Sequence, residues 1–428
     1  MPRTYKDTLA SLYALEAKKG MDFRLSRLDP VLDALDHPER AFRAVHIAGT
    51  NGKGSTAAMI ESALRAGGYR TGLYTSPHLV SFRERTRIGG VPIYEDSVVR
   101  HTETIVGAAS RAGAELTFFE IATLAAFLEM RERRVEIGVI EAGLGGRLDV
   151  TNVVHGDVAV LTSIGIDHVE FLGDTIAGIA AEKAAIIKHG ATAVTGAMDE
   201  IADAVVAARV AEVGAMRLAW GRDFGPFEPL VAAQRGAAAS DSGTHVLAGA
   251  HQAHNAALAA AAVSALAREF PVAPGTRDAA IVSARWPGRL EVLARRRGSG
   301  PVVLDAAHNP QAVATLAASL DAVAPSRPRV LVFAAMADKD WREMLRMLVP
   351  AFDKVIVTAL PMARAERPES FLASAPGAVV ASDPAEALER AEREAAAHGS
   401  IVVTGSIFLL GNLYRAAGGK LLEEDLAD

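Results

Sequence analysis

The chain has 428 residues, 45 of them lysine or arginine against 51 aspartates and glutamates, half of them hydrophobic and none of them cysteine. That composition excludes disulfides, thiolate metal sites and a cysteine nucleophile, and a formal charge of −6 leaves no electrostatic footprint for nucleic acid. At roughly 150 residues per domain the length predicts two or three units with real cores, and no apolar run reaches the roughly 18 to 20 residues of a membrane span, so a cytoplasmic protein with no nucleic-acid or membrane partner is expected.

At the N-terminus Arg3, Lys6, Asp7, Glu16 and Lys18 alternate with leucine and tyrosine, which predicts an amphipathic helix and not a secretory segment. An apolar stretch with Phe42, Val45 and Ile47 then reads as a strand that runs into Gly49-Thr50-Asn51-Gly52-Lys53-Gly54-Ser55 and on into a helical pattern. Consecutive backbone N–H groups turned inward by glycines, with a helix N-terminus behind them, make an anion cradle. Lys53 supplies a charge for terminal phosphates, and Ser55 or Thr56 a hydroxyl for Mg²⁺. The spacing is not G-x-x-x-x-G-K-[ST], because two residues instead of four separate the first glycine from Gly52 and Gly54 stands between lysine and hydroxyl.

The helix from Ala57 stops at Gly67-Gly68, and strands are predicted at Thr71 to Tyr74, at Val135 to Ile140 ending in Glu141, and at Val158 to Ile164 leading to Asp167-His168. A helix is predicted from Thr175 to Lys188, irregular or hairpin structure from Gly221 to Gly249, a helix from Asn255 to Glu269 and a connection from Pro271 to Pro287. A second alternating unit follows, with strands near Val302 to Asp305, Val330 to Ala334, Val355 to Thr358, Val379 to Ala381 and Ile401 to Thr404. The class is therefore α/β: a P-loop-containing, mainly parallel sheet domain over 1–284, then a smaller Rossmann-like α/β domain over 285–428. The run Arg295-Arg296-Arg297 reads as a solvated turn.

In open α/β sheets ligands gather at the carboxyl ends of strands, where Glu141 and His168 stand. A carboxylate and an imidazole beside a triphosphate suit Mg²⁺, although a turn cap and a loop histidine fit the same positions. Glu182-Lys183 reads on periodicity alone as a surface ion pair. Gly143-Leu144-Gly145-Gly146 misplaces the third glycine of a dinucleotide fingerprint, and His251 and His254 have helical spacing but no third zinc ligand nearby.

Eight motifs in one order carry a family resemblance: His46 through Ser55; Tyr74-Thr75-Ser76-Pro77-His78-Leu79; Thr117-Phe118-Phe119-Glu120; Glu141 with Gly143 through Asn152; Asp167-His168 with Leu172-Gly173; Glu182-Lys183-Ala184; Pro287-Gly288-Arg289; and Asp305 through Pro310. Over essentially its whole length the chain resembles folylpolyglutamate synthase and bifunctional dihydrofolate synthase, members of the Mur ligase superfamily. The resemblance implies that Gly52, Lys53, Gly54 and Ser55 hold the β- and γ-phosphates of ATP. It implies Ser76, Glu141 and His168 as Mg²⁺ ligands and Lys183 as the lysine that this family carbamylates. Asn255, Arg289 and Asp305 match ATP-binding positions, with His308 close to the phosphates, and ATP is expected between the domains.

The same resemblance places Met21-Asp22-Phe23, Thr117-Phe118-Phe119-Glu120 and Asp149-Val150-Thr151 in a dihydropteroate pocket, with Ser81 to Gly90 as a flexible omega-type loop over the pterin. An aromatic pair suits a flat pterin and a carboxylate its aminopyrimidinone edge, while one of the two phenylalanines is expected to be core. Val150 replaces a common alanine, and Ala306 a common glycine. The implied partners are dihydropteroate, reduced folates and L-glutamate, with a monomer expected, and Lys53, Lys183, His168 and Glu141 are the implied catalytic set. A peptidoglycan-precursor ligase is disfavoured because only about 45 residues precede the phosphate loop, fewer than a separate domain of typical size needs. A synthase that only extends glutamate chains, or a P-loop phosphotransferase, is the remaining alternative.

Overall fold

The structure is a computed structural model whose described residues are 3–19, 25–238, 246–294 and 300–416. Met21, Asp22 and Phe23, and the run Arg295-Arg296-Arg297, lie outside them. The chain divides into two compact units, one comprising Met1–Leu230 and His254–Ala284, the other Val231–Ala253 and Arg285–Asp428.

Among the described residues the first unit holds an eight-stranded sheet of β1 (Arg43–Ala48), β2 (Thr71–Tyr74), β3 (Thr86–Ile88), β4 (Val91–Pro92), β5 (Ile137–Glu141), β6 (Gly156–Leu161), β7 (Thr192–Thr195) and β8 (Met216–Ala219). Their spatial order is β4-β3-β2-β5-β1-β6-β7-β8. The strands from β2 to β8 in that order are parallel, and β3 and β4 add antiparallel at one edge. All of β5 and all but the first residue of β1 are buried, as expected of parallel strands covered on both faces. β1 lies between β5 and β6, so the segments that leave these three strands, Gly49 onward, Ala142 onward and Thr162 onward, emerge side by side.

The second unit has a six-stranded sheet of β9 (Glu291–Ala294), β10 (Pro301–Leu304), β11 (Arg329–Phe333), β12 (Lys354–Thr358), β13 (Val379–Ala381) and β14 (Ser400–Thr404), in the order β13-β12-β11-β14-β10-β9. Only β9 runs antiparallel. The core here gathers Leu316, Leu331, Phe333, Trp341, Leu345, Phe371 and Val402.

Four expectations change. The stretch from Gly221 to Gly249 contains the helix Glu228–Ala238, which its Gly and Pro content concealed; Pro229 sits in the first helical turn, where a missing N–H costs nothing. Its later part belongs to the second unit, because Ala248 packs on that core and Gln234 Nε2 donates to Leu247 O at 2.7 Å and Gly249 O at 3.1 Å. The connection after Pro271 holds the helix Pro274–Val282, and the next helix upstream begins at Ala250, before Asn255. Ser81 to Gly90 is regular structure: a 3₁₀ turn Phe82–Arg85, closed by a Ser81–Glu84 capping box, leads into β3.

Candidate active site

The phosphate loop joins β1 to the helix Lys53–Ala66. Gly52 caps that helix with φ +87°, a conformation open to glycine, and an added Cβ would stand 2.5 Å from Asn255 Oδ1. Thr50 N donates to Ser163 O at 2.8 Å, Asn51 N to Ser163 Oγ at 3.0 Å, and Thr162 Oγ1 to Asn51 O at 2.7 Å. The segment after β6 thus braces the loop. Thr50 lies inside the Gly49–Ser55 run, but no motif reading singled out Thr162 and Ser163, which the sequence placed in a strand that in the structure ends at Leu161.

Lys53 Nζ donates to Gly49 O at 3.0 Å and Thr50 O at 3.2 Å. Lys183 Nζ, from the helix Ile176–Ala184, donates to the same Gly49 carbonyl at 3.1 Å. Lys183 is 5% exposed. Burial first, and the Lys53 charge second, push its amine down to about 7. The expected surface ion pair is therefore split: Lys183 points into the site, and Glu182 Oε1 pairs outward with Arg147 at 2.7 Å. Close packing enforces that placement, since a Cβ on Gly146 would come within 2.6 Å of Glu182 O.

Glu141 ends β5 and is buried, and its Oε2 accepts from Ser76 N at 3.3 Å, which brings two of the three expected Mg²⁺ ligands together. His168, at φ +53°, donates its backbone N–H to Asp167 Oδ1 at 2.9 Å, and its Nε2 lies 3.9 Å from Asp167 Oδ2. A buried carboxylate, a hydroxyl and an imidazole beside a phosphate cradle are a donor set that fits Mg²⁺ completed by phosphate oxygens.

The expected pterin residues have different surroundings. Thr117 and Glu120 form a capping box on the helix Phe118–Glu132, with Glu120 Oε2 accepting from Thr117 N at 2.6 Å and Oγ1 at 2.9 Å. Glu120 Oε1 takes Arg27 Nη2 at 2.5 Å. Phe118 is core, stacked on Tyr13 with centroids 5.7 Å apart, edge-on to Phe82, and covered by the Arg85 guanidinium at 5.0 Å. Phe119 is half-buried, 6.2 Å from the Tyr74 ring. Val150 is buried, and Asp149 caps the 3₁₀ turn Val150–Val153. Arg27, Arg85 and Tyr13 went unnoticed in the sequence because each lies far along the chain from its partner.

In the second unit Asp305 is buried, with Oδ2 accepting from Leu290 N and Oδ1 from Ala307 N, both at 2.9 Å. Burial raises its carboxyl and the Arg289 charge opposes the rise. His308 Nδ1 lies 2.9 Å from Ala306 O, just before the helix Pro310–Val323 that Asn309 caps.

Two family models match the chain, the Mur ligase middle domain over residues 47–263 and the Mur ligase glutamate ligase domain over 288–407. The chain is 32% identical to a dihydrofolate synthase/folylpolyglutamate synthase of Bacillus subtilis, across 96% of this chain and 98% of that one. This chain belongs to the folylpolyglutamate synthase/dihydrofolate synthase family of Mur ligases. Among solved structures of the family, E. coli FolC in complex with DHPP and ADP superposes with a TM-score of 0.85 at 30% identity, covering 97% of this chain and 98% of that one. A Yersinia pestis folylpolyglutamate synthase/dihydrofolate synthase with Mn, AMPPNP and L-glutamate bound gives 0.84 at 28% identity, covering 98% of this chain and all of that one. Membership in this synthase family removes the phosphotransferase alternative.

Proposed function

We infer that the protein is an ATP-dependent ligase that adds L-glutamate to dihydropteroate, making dihydrofolate, and to reduced folates, making folylpolyglutamates. The observation that carries the reading is the shared Gly49 carbonyl, where a phosphate-loop lysine meets a buried lysine held near neutrality. A simple phosphate cradle needs only the first. A neutral amine captures CO₂, and the carbamate formed is a new carboxylate beside the phosphates.

At neutral pH a carboxylate resists attack by an amine, so the γ-phosphoryl group is first transferred to an oxygen of the pterin substrate's carboxylate. The resulting acyl phosphate has a good leaving group; the α-amine of glutamate attacks its carbonyl carbon, loses a proton, and phosphate departs as the amide forms. Gly52, Lys53, Gly54 and Ser55 hold the phosphates, and Lys53 and Arg289 neutralise charge that develops in transfer. Ser76, Glu141 and His168 would hold Mg²⁺, and carbamylated Lys183 would add a ligand for a second ion; such ions supply charge neutralisation and alignment. Asn255, Asp305 and His308 position the nucleotide. Thr117 through Glu120 and Asp149 through Thr151 frame the pterin pocket. A cytoplasmic monomer without nucleic-acid or membrane partners is proposed from the sequence; among the described residues no helix is long and apolar enough to cross a membrane.

The test is ADP release with ATP, Mg²⁺ and either dihydropteroate or tetrahydrofolate, with and without L-glutamate. Release that requires glutamate with both pterins is expected. Release without glutamate would overturn the ligase reading, and silence with dihydropteroate alone would reduce the enzyme to chain extension.

A further inference from the structure

His46 lies on β1 just ahead of the phosphate loop, fully buried, and neither phosphate binding nor acyl transfer uses it. Its Nε2 is 2.9 Å from Thr151 Oγ1. That hydroxyl donates to Asp149 Oδ1 at 2.5 Å, and Thr151 N donates to the same oxygen at 2.9 Å. Asp149 Oδ2 accepts from Leu144 N at 2.8 Å. An ionised carboxylate accepts about four hydrogen bonds. Three of those places are taken, by Thr151 Oγ1, Thr151 N and Leu144 N, so both oxygens of Asp149 tie down the backbone of its own turn.

Direction follows from counting protons. Thr151 has one hydroxyl hydrogen and spends it on Asp149, so toward His46 its oxygen only accepts, and the imidazole carries its proton on Nε2. His46 Nδ1 has no partner. A bare lone pair there is tolerable, whereas a protonated Nδ1 would be an orphaned buried donor. Burial, with the Lys188 charge behind it, accordingly holds the ring neutral. At the far end of the chain of bonds the loop is pressed on an aromatic ring, because a Cβ at Gly143 would stand 2.4 Å from Phe119 Cζ.

We propose that His46, Thr151 and Asp149 form a positioning relay that sets the Gly143-Leu144 backbone against Phe119, and that the affinity of this segment for the pterin depends on that relay. The proposal rests on the pterin-ligase reading. Steady-state kinetics of Thr151→Val and Thr151→Ser, and of His46→Leu and His46→Gln, test it together with the ¹⁵N shifts of His46. Thr151→Val should raise the KM for dihydropteroate about tenfold, the scale of one lost buried hydrogen bond, and leave kcat and the KM for ATP within about twofold. His46→Gln, which keeps an N–H at similar reach, should recover most of the affinity that His46→Leu loses. The wild-type ring should show the neutral Nε2–H form from about pH 5 to about pH 8. An unchanged KM in Thr151→Val, with Asp149→Asn alone impaired, would mean that Asp149 binds the pterin itself and would overturn the relay; so would equal losses for ATP and dihydropteroate, or a proton on Nδ1. Wild-type ADP release without glutamate would sink the ligase reading instead, and the tautomer would still decide the relay.

Discussion

Two buried polar regions of the first unit contrast in how their charges are spent. Around the phosphate loop, Lys53 and Lys183 lean on backbone carbonyls, and Gly49 O serves both. Carbonyl partners of an ammonium are easily exchanged for phosphate oxygens, and burial of Lys183 makes its neutral form accessible. Around the pterin motifs, Glu120 and Asp149 are engaged by Thr117, Arg27, Thr151 and Leu144. The first region keeps charge available for a ligand; the second spends it on loop geometry. Residues that share a motif therefore divide into those that act and those that hold, and hydrogen-bond occupancy separates them.

The contrast breaks most sharply at Lys53. Lys53→Ala should lower ligation by about 100- to 1000-fold, the scale of deleting one preorganised charge partner, with an unchanged melting temperature. Near-wild-type turnover would refute the phosphate-loop assignment. Lys183→Ala comes next, with a loss of about 10- to 100-fold, as for a group that supports a metal, and partial rescue by a short carboxylic acid. Full activity without rescue would reject the metal role. For the intact enzyme the sign is fixed by the lowered amine: above about pH 7 Lys183 is largely neutral, so carbamate and activity should rise from about pH 6 to about pH 8 in the presence of bicarbonate. Between pH 7 and the ordinary lysine value of 10.5 the unfolded chain binds the extra proton, so this group's contribution to stability also rises with pH there. A ¹³C-bicarbonate signal on Lys183 that does not grow over that range would overturn the point.

The parallel strands were legible because buried β residues are written as continuous apolar runs, as in Val330 to Ala334 and Ile401 to Thr404. The phosphate loop was legible because Gly52 and Lys53 are local chemistry. Lys183 was legible only through the motif resemblance, since by periodicity a Glu-Lys pair on a helix looks the same whether or not its lysine is buried; the fold turns Lys183 inward and Glu182 toward Arg147. The helix Glu228–Ala238 and the strand Glu291–Ala294 were missed because short elements flanked by Gly and Pro carry too little periodicity. Long-range partners such as Arg27 for Glu120 leave no mark on either segment.

Smaller effects sharpen the other half of the contrast. Asp149→Ala should reduce dihydropteroate ligation more than tetrahydrofolate ligation, because the extending substrate carries its reactive carboxylate a glutamate farther from the pterin, and unlike Lys53→Ala it should also lower the melting temperature. Equal kinetic losses with an unchanged melting temperature would contradict a loop-holding role. Glu120→Gln keeps the shape of the capping box but weakens acceptance from Thr117 and removes the carboxylate charge beside Arg27 Nη2. Arg27 retains some solvent, so the cost should be about 1–2 kcal/mol in urea unfolding, with kcat little changed.

The smallest expected effect belongs to Arg147. Its guanidinium bridges Glu182 one residue from Lys183, yet the two side chains are 57% and 22% exposed, and a pair so open to water is worth at most about 1 kcal/mol. What holds the Lys183 helix against the loop is backbone: Arg147 N donates to Glu182 O at 2.8 Å, and Gly146 packs on the same carbonyl. Arg147→Ala leaves both in place. It should therefore cost less than about 1 kcal/mol and change kcat by less than about threefold. A loss comparable to that of Lys183→Ala would show that the side-chain bridge, not the backbone, aims Lys183 at Gly49.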